Sequence, residues 1–116
     1  MAARPIRRKV LLTQGAVQDL ESLHRYLCEF ASPATANQVL DRWMIVVQGL
    51  AEFPERGSYP RELLALGMKD YRQATFKPYR VIYRVLNERV VLYLVVDGRR
   101  DLSGVLARRL LGADPR

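Results

Sequence analysis

The sequence predicts an α+β fold: an N-terminal strand, an antiparallel two-helix hairpin packed on a small, mainly antiparallel sheet, and a C-terminal helix, in the order β-α-α-β-β-β-α. Three observations point there. Two long stretches in the first half carry apolar residues at helical spacing and are separated only by Ser32 and Pro33. A run over residues 79–86 alternates as a strand does, and the run at 89–96 is almost continuously β-branched or apolar. Helices grouped before strands suit a hairpin layered on one face of a sheet.

Each element has its own local cause. Residues 6–13 alternate weakly and end at Thr13, Gln14 and Gly15, reading as a strand followed by a helix start capped by Thr13. From 16 to 31, Val17, Leu20, Leu23, Leu27, Phe30 and Ala31 form one apolar face, with Asp19, Glu21, Arg25 and Glu29 opposite. Ser32 as cap and Pro33 at the first helical position then open a second helix, whose stripe is Ala36, Val39, Leu40, Trp43, Val47, Leu50 and Ala51. Prolines and glycines mark residues 53–68 as a loop, with room for one helical turn at 62–66. Three strands follow, at 70–76, 79–86 and 89–96, the last two joined by a tight turn at Asn87 and Glu88. Alternation puts Tyr79, Val81, Tyr83 and Val85 on one face and Arg80, Ile82, Arg84 and Leu86 on the other. After Asp97 and Gly98, residues 101–111 can form the last helix, carrying Leu102, Val105, Leu106, Leu110 and Leu111. Residues 112–116 have the composition of a loose tail. With no repeat, linker or low-complexity tract, residues 1–116 read as one domain.

The 116 residues are 49 % hydrophobic, enough for a core without disulfides or metal. One cysteine, Cys28, forms no internal bridge, and one Cys with one His cannot build a structural zinc site. No apolar run approaches the length of a membrane span, and the basic start of the chain lacks the apolar stretch of a signal peptide. The expectation is a cytoplasmic protein with no membrane association.

The net charge of +7 is unevenly placed: +4 in residues 1–13, −3 in 14–68 and +6 in 69–116. Sixteen of the nineteen cations are arginines, which suit bidentate contact with phosphate or carboxylate. The bland reading is a soluble basic surface; the sharper one is an anionic partner, either nucleic acid or an acidic protein segment.

Several chemistries are excluded. There is no glycine-rich phosphate loop, and a single histidine rules out paired-histidine metal motifs. His24, Cys28 and Trp43 fall on or beside apolar helical faces and read as core or core-edge residues, while the acids show no pair placed for acid–base work. What remains is a set of arginines: Arg72, Arg80, Arg84, Arg99, Arg100, Arg108 and Arg109. Arg72, Arg80 and Arg84 lie on adjacent strands and could converge on one open sheet face. Arg108 and Arg109 sit where cations complement a helix dipole.

Element order and four strings together resemble the RelE/ParE superfamily of small bacterial toxins. These are A-x-x-D-L at 16–20, L-x-x-x-P-x-x-G at 50–57, Y-R-V-I-Y-R-V at 79–85 and D-G-R-R-D-L at 97–102. The resemblance covers almost the whole chain. In RelE-like members it implies metal-free mRNA cleavage on the ribosome by a Lys/Arg cluster and a C-terminal Tyr. Arg72, Arg80 and Arg100 fall on cationic positions of that pattern, but the second lysine falls near Ala74 and the tyrosine on Leu106. Arginine holds its proton at neutral pH, so three arginines bind phosphate but make a poor acid–base pair. The long hairpin and the missing residues resemble the ParE-like branch instead. That branch implies a toxin that inhibits DNA gyrase by binding and is neutralised by a cognate ParD-like antitoxin in a hetero-oligomer, with no cofactor, no metal and no catalytic residue, and it leaves room for indirect DNA contact. The candidate antitoxin- or target-binding residues are Arg72, Arg80, Arg84, Arg99 and Arg100. The alternatives are a RelE-like mRNA interferase and, from a different class, a plain RNA- or DNA-binding module.

Overall fold

Thr13 is where the chain turns from strand to helix, and its side chain makes the turn specific. In the computed structural model, which describes residues 7–99 and 102–111, strand β1 (Lys9–Leu12) ends one residue before helix α1 (Gln14–Phe30). The Thr13 hydroxyl accepts the Ala16 N–H at 3.1 Å and donates to the Tyr93 carbonyl at 3.4 Å, so the N-cap also ties the helix to the sheet. Helix α2 (Pro33–Glu52) opens as its sequence requires, with the Ser32 hydroxyl accepting the Thr35 N–H at 3.0 Å and Pro33 in the first turn. A short 3₁₀ turn at Pro54–Arg56 and helix α3 (Arg61–Leu64) lead into strands β2 (Arg72–Phe76), β3 (Tyr79–Leu86) and β4 (Arg89–Asp97), then helix α4 (Ser103–Leu111).

The four strands lie in the order β1-β4-β3-β2, antiparallel except for the parallel β1–β4 pair. One face carries the hairpin: Val39, Trp43, Val47 and Leu50 of α2 pack with Leu20, Leu23 and Leu27 of α1 against Phe76, Val81, Tyr83, Val90, Leu92 and Val95. The stripe predicted for α2 is the one observed except at Leu40, which is only half-buried and belongs to neither core cluster. That of α1 is narrower, because Phe30 lies almost one turn beyond Leu27, the last α1 leucine in the core, and is exposed, as is Val17 at the other end.

The second sheet face is covered too. Leu63 of α3, Leu102, and Leu106 and Leu110 of α4 close over Ile82, Val91, Tyr93 and Leu94. The sheet is therefore the middle of three layers, with no broad open face for arginines to share.

The β3–β4 ladder is in register from Tyr79↔Asp97 to Ile82↔Leu94 and resumes at Tyr83↔Leu92, leaving Tyr93 as the extra residue of a β-bulge. Tyr93 and Leu94 consequently both face α4, while Leu92 and Val95 face the hairpin. The continuous apolar run of β4 is thus two alternating patterns joined out of phase.

Candidate functional site

Register separates the three strand arginines. Arg72 is paired across the ladder with Tyr83, which packs under the hairpin, whereas Arg80 and Arg84 share the face of Ile82 and Leu86, under α4. Arg80 is separated from Arg72 by the sheet, whereas Arg72 and Arg84 line one polar cleft at its rim.

Arg80 is the most changed by its surroundings. Only 9 % exposed, it donates from Nη1 and Nη2 to the two Glu62 carboxylate oxygens at 2.8 and 2.9 Å, and from Nε and Nη2 to the Gln73 side-chain oxygen. A forked pair of this kind holds α3 to the sheet. Hydrogen bonding to Arg80 pulls the Glu62 carboxyl down from 4.5 to about 2, against the opposing effect of burial. Gly98 is required beside it, since a Cβ there would stand 2.6 Å from Arg80 Cγ.

Arg72 is a loop clamp. Its Nη1 donates to the carbonyls of Gly57 at 2.9 Å and Glu55 at 3.3 Å, its Nη2 to the Tyr59 hydroxyl at 3.1 Å, and its guanidinium stacks 4.6 Å over the Tyr59 ring. The Tyr83 hydroxyl joins this loop, donating to the Pro54 carbonyl at 2.6 Å and accepting the Gly57 N–H at 3.0 Å. The proline and glycine of the L-x-x-x-P-x-x-G string thus serve one tyrosine hydroxyl, and burial pushes that phenol's pKa up.

Arg84 and Arg99 face outward. Arg84 stacks 5.7 Å over the Tyr71 ring and lines a polar cleft with Glu55, Lys69, Asp70 and Arg72. Arg99 is bidentate on Asp97, at 2.6 and 3.0 Å, yet its side chain remains 76 % exposed. Arg100, Asp101, residues 112–116 and the side chain of Leu111 lie outside the described residues. Arg109, assigned above to the helix dipole, has a tertiary partner: it reaches over Gly15 to the Asp19 carboxylate.

Among the described residues, the positions of the RNA-cleaving pattern are taken up by packing and by the fold's own hydrogen bonds and ion pairs. Ala74 is half-buried toward the hairpin, Leu106 is buried in the second core cluster, and Arg80 is spent on Glu62. His24 and Cys28 sit half-buried on α1, with His24 Nε2 3.1 Å from the Asn37 side-chain oxygen and Cys28 Sγ 3.7 Å from His24 Nδ1. Among the described residues no group of three or more His, Cys, Asp or Glu could hold a metal ion, and no helix is long and apolar enough to cross a membrane.

A concave surface does exist, on the free edge of β2. A groove of about 390 Å³ between α2 and β2 is lined by Ile45, Val46, Leu50 and Ala74, with Arg56 beside it. Along that edge Gln73 exchanges both backbone hydrogen bonds with Ser58, at 2.7 and 3.1 Å. Two residues on, Thr75 directs its own N–H and C=O the same way, with no partner among the described residues. Sequence reading passed over this groove; its signals were Ile45 and Val46, apolar residues off the helical stripe.

The family model for the ParE toxin of type II toxin–antitoxin systems, parDE, matches residues 10–102. The chain belongs to that family. Among known proteins it is similar to Toxin ParE3 of Caulobacter vibrioides, at 31 % identity over 101 residues, covering 87 % of this chain and 97 % of that one. Two solved structures share the fold. The chromosomal ParDE toxin–antitoxin system of P. aeruginosa superposes with a TM-score of 0.66 at 15 % identity, over 78 % of this chain and 96 % of its own. The RelBE2 toxin–antitoxin complex of Mycobacterium tuberculosis gives 0.54 at 24 %, over 79 % and 92 %. In this ParE-family toxin three of the four strings lie at structural joints: Asp19 of the first beside the bulge, Gly57 of the second at Tyr83, and Arg80 of the third at Glu62.

Proposed function

We propose that this toxin acts by binding rather than by catalysis, that its target is DNA gyrase, and that a ParD-like antitoxin neutralises it in a cytoplasmic hetero-oligomer. The observation that carries the non-catalytic part is the fate of the residues an RNA-cleaving site would need. Arg80 is buried against Glu62, and a buried leucine, Leu106, stands where a proton-donating tyrosine would. Metal-free RNA cleavage needs a base for the 2′-hydroxyl and an acid for the leaving oxygen, and the groups beside Arg72 and Arg80 are engaged in holding the fold: the Glu62 carboxylate by Arg80, the Tyr59 hydroxyl by Arg72, and the Tyr83 hydroxyl by Pro54 and Gly57. The gyrase target rests on family membership.

The groove beside β2 supports the antitoxin part. An extended segment could add to the edge at Thr75 through backbone hydrogen bonds while placing apolar side chains on Val46, Leu50 and Ala74, with an acidic residue meeting Arg56. Arg72, Arg84 and Arg99 remain candidates for contact with antitoxin or target. Arg80 is assigned to the scaffold, and Arg100 stays a candidate on sequence alone.

Purified toxin should inhibit gyrase supercoiling with accumulation of cleaved DNA, and should leave mRNA on programmed ribosomes intact. Cleavage of the message without any effect on gyrase would establish the interferase reading instead. Salt-sensitive binding to random nucleic acid, with neither of the other activities, would establish a plain nucleic-acid module.

A further inference from the structure

At the end of the molecule where α1, the β2–β3 turn and β4 come together, the fold leaves an aromatic pair unused. Tyr26 and Phe30 lie one helical turn apart on α1, their ring centroids 4.8 Å from each other, and are 58 % and 68 % exposed. Neither belongs to either core cluster. Adjacent large aromatics left in water gain nothing from folding, and such patches on soluble domains mark contact surfaces.

Their surroundings say what kind of contact. Phe76 packs 5.3 Å from Tyr79, and the Arg42 guanidinium lies 5.8 Å over the Phe76 ring while donating to the Lys77 carbonyl at 2.6 Å. Tyr26, Arg42, Arg99 and Asp97 all act electrostatically on the Tyr79 hydroxyl, which puts them in one neighbourhood. Arg42, Lys77 and Arg99 are exposed cations there, with Arg25 next to Tyr26; the acids are Asp97, held by Arg99, Glu29, next to Phe30, and Asp41, next to Arg42. The rim is net positive. Neither ring lines any of the clefts described above, and both project from the convex surface of a helix. An extended peptide has its trough at the β2 edge; a protruding aromatic pair needs a concavity on the other molecule.

We propose that Tyr26 and Phe30 form the knob this toxin inserts into its folded protein target, in an apolar pocket rimmed by carboxylates. Identifying that target as gyrase rests on the reading above. The knob names the surface used, which is separate from the groove assigned to the antitoxin. Aromatic anchors that fill pockets dominate the energetics of such interfaces, and acidic rims complement flanking cations.

The test compares wild type with the double variant Tyr26→Ser/Phe30→Ser in three measurements: supercoiling by gyrase holoenzyme, affinity for the cognate antitoxin, and growth arrest on expression. Both positions are exposed, so melting temperature and antitoxin affinity should match wild type. The half-inhibitory concentration should rise about tenfold or more, and growth arrest should be lost. A double variant that inhibits gyrase at the wild-type concentration overturns the proposal, as does one that loses antitoxin affinity. Should wild type arrest growth without inhibiting gyrase, the gyrase reading falls and growth arrest alone judges the knob: loss in the variant upholds it, and retention overturns it. Wild type that neither arrests growth nor inhibits gyrase overturns both.

Discussion

Arg109 and Asp19, ninety residues apart, close a two-bonded ion pair over the bulge in β4. Arg109 Nη1 and Nη2 meet the two Asp19 oxygens at 3.0 Å each, and Nη2 also donates to the Tyr93 carbonyl at 3.0 Å. Asp19 in turn accepts the Val95 N–H at 3.0 Å. β1 pairs with β4 only as far as Leu92, so the backbone groups at and beyond the bulge lose their strand partner, and the Asp19 carboxylate, the Arg109 guanidinium and the Thr13 hydroxyl replace it. The aspartate of the A-x-x-D-L string is thereby explained as a joint between α1, α4 and the sheet.

Replacing Asp19 by Asn should destabilise the fold by about 1–3 kcal/mol, since a partly buried charged pair is broken. Combined with Arg109→Gln in a double-mutant cycle, the two changes should cost clearly less than their sum, by about 1 kcal/mol or more. Urea unfolding of the four proteins measures this; strict additivity would show that the pair carries no coupling.

The Glu62–Arg80 pair predicts an acid limb of stability. The Glu62 pKa is lower in the folded state, near 2, than its ordinary 4.5, so its stabilisation is complete above pH 4.5 and is lost as pH falls from there toward 2. The span corresponds to roughly 3 kcal/mol. Glu62→Gln should be less stable than wild type at neutral pH and should show a flatter profile between pH 4.5 and 2 in chemical denaturation.

Gly57 is fixed by close approach. A Cβ at this position would collide with the Tyr83 hydroxyl and lie 2.5 Å from the Gln73 carbonyl. Gly57→Ala should cost about 1–3 kcal/mol through forced displacement of the loop. Tyr83→Phe should cost a similar amount by leaving the Pro54 carbonyl and Gly57 N–H unpaired. Thermal melts of both variants, with Gly104→Ala as a control that meets only the Arg108 side chain at 3.6 Å, check the assignment.

Charge reversal should separate scaffold from surface. Arg84→Glu and Arg99→Glu should fold with near wild-type melting temperatures and weaken antitoxin affinity or toxicity. Arg80→Glu should unfold the protein, because it sets a second carboxylate against Glu62 in a nearly dry site. Circular dichroism and titration against the antitoxin read the two effects independently.

The hairpin was legible because its signals are local. Thr13 and Ser32 cap helices through hydroxyls three residues from their partners, and the α2 stripe from Ala36 to Ala51 follows from 3.6-residue spacing. The β3 strand and its turn at Asn87, where φ is 57°, follow from alternation and turn chemistry. Phe30 misled, since periodicity reports which way a side chain points along a helix but not where the opposing layer ends. The arginines misled for a related reason: residue type suggested a shared cationic face, whereas cross-strand register assigned Arg72 to one face and Arg80 to the other.

From the order of its elements, its arginine-rich C-terminal half and four short strings, the sequence by itself determined the α+β class, the helix caps and membership of the toxin superfamily. Only the tertiary structure decided what individual charges do. The bulge at Tyr93 needed Asp19 and Arg109 from elements far apart in the chain, and α3 brought Glu62 to Arg80. Capping and periodicity act over a few residues and are written locally, whereas the worth of a charge depends on the partner and the water that folding leaves beside it. That distinction turned Arg80 from a candidate contact into a buried strut, and left Tyr26 facing solvent together with Phe30, which periodicity had placed on the core face.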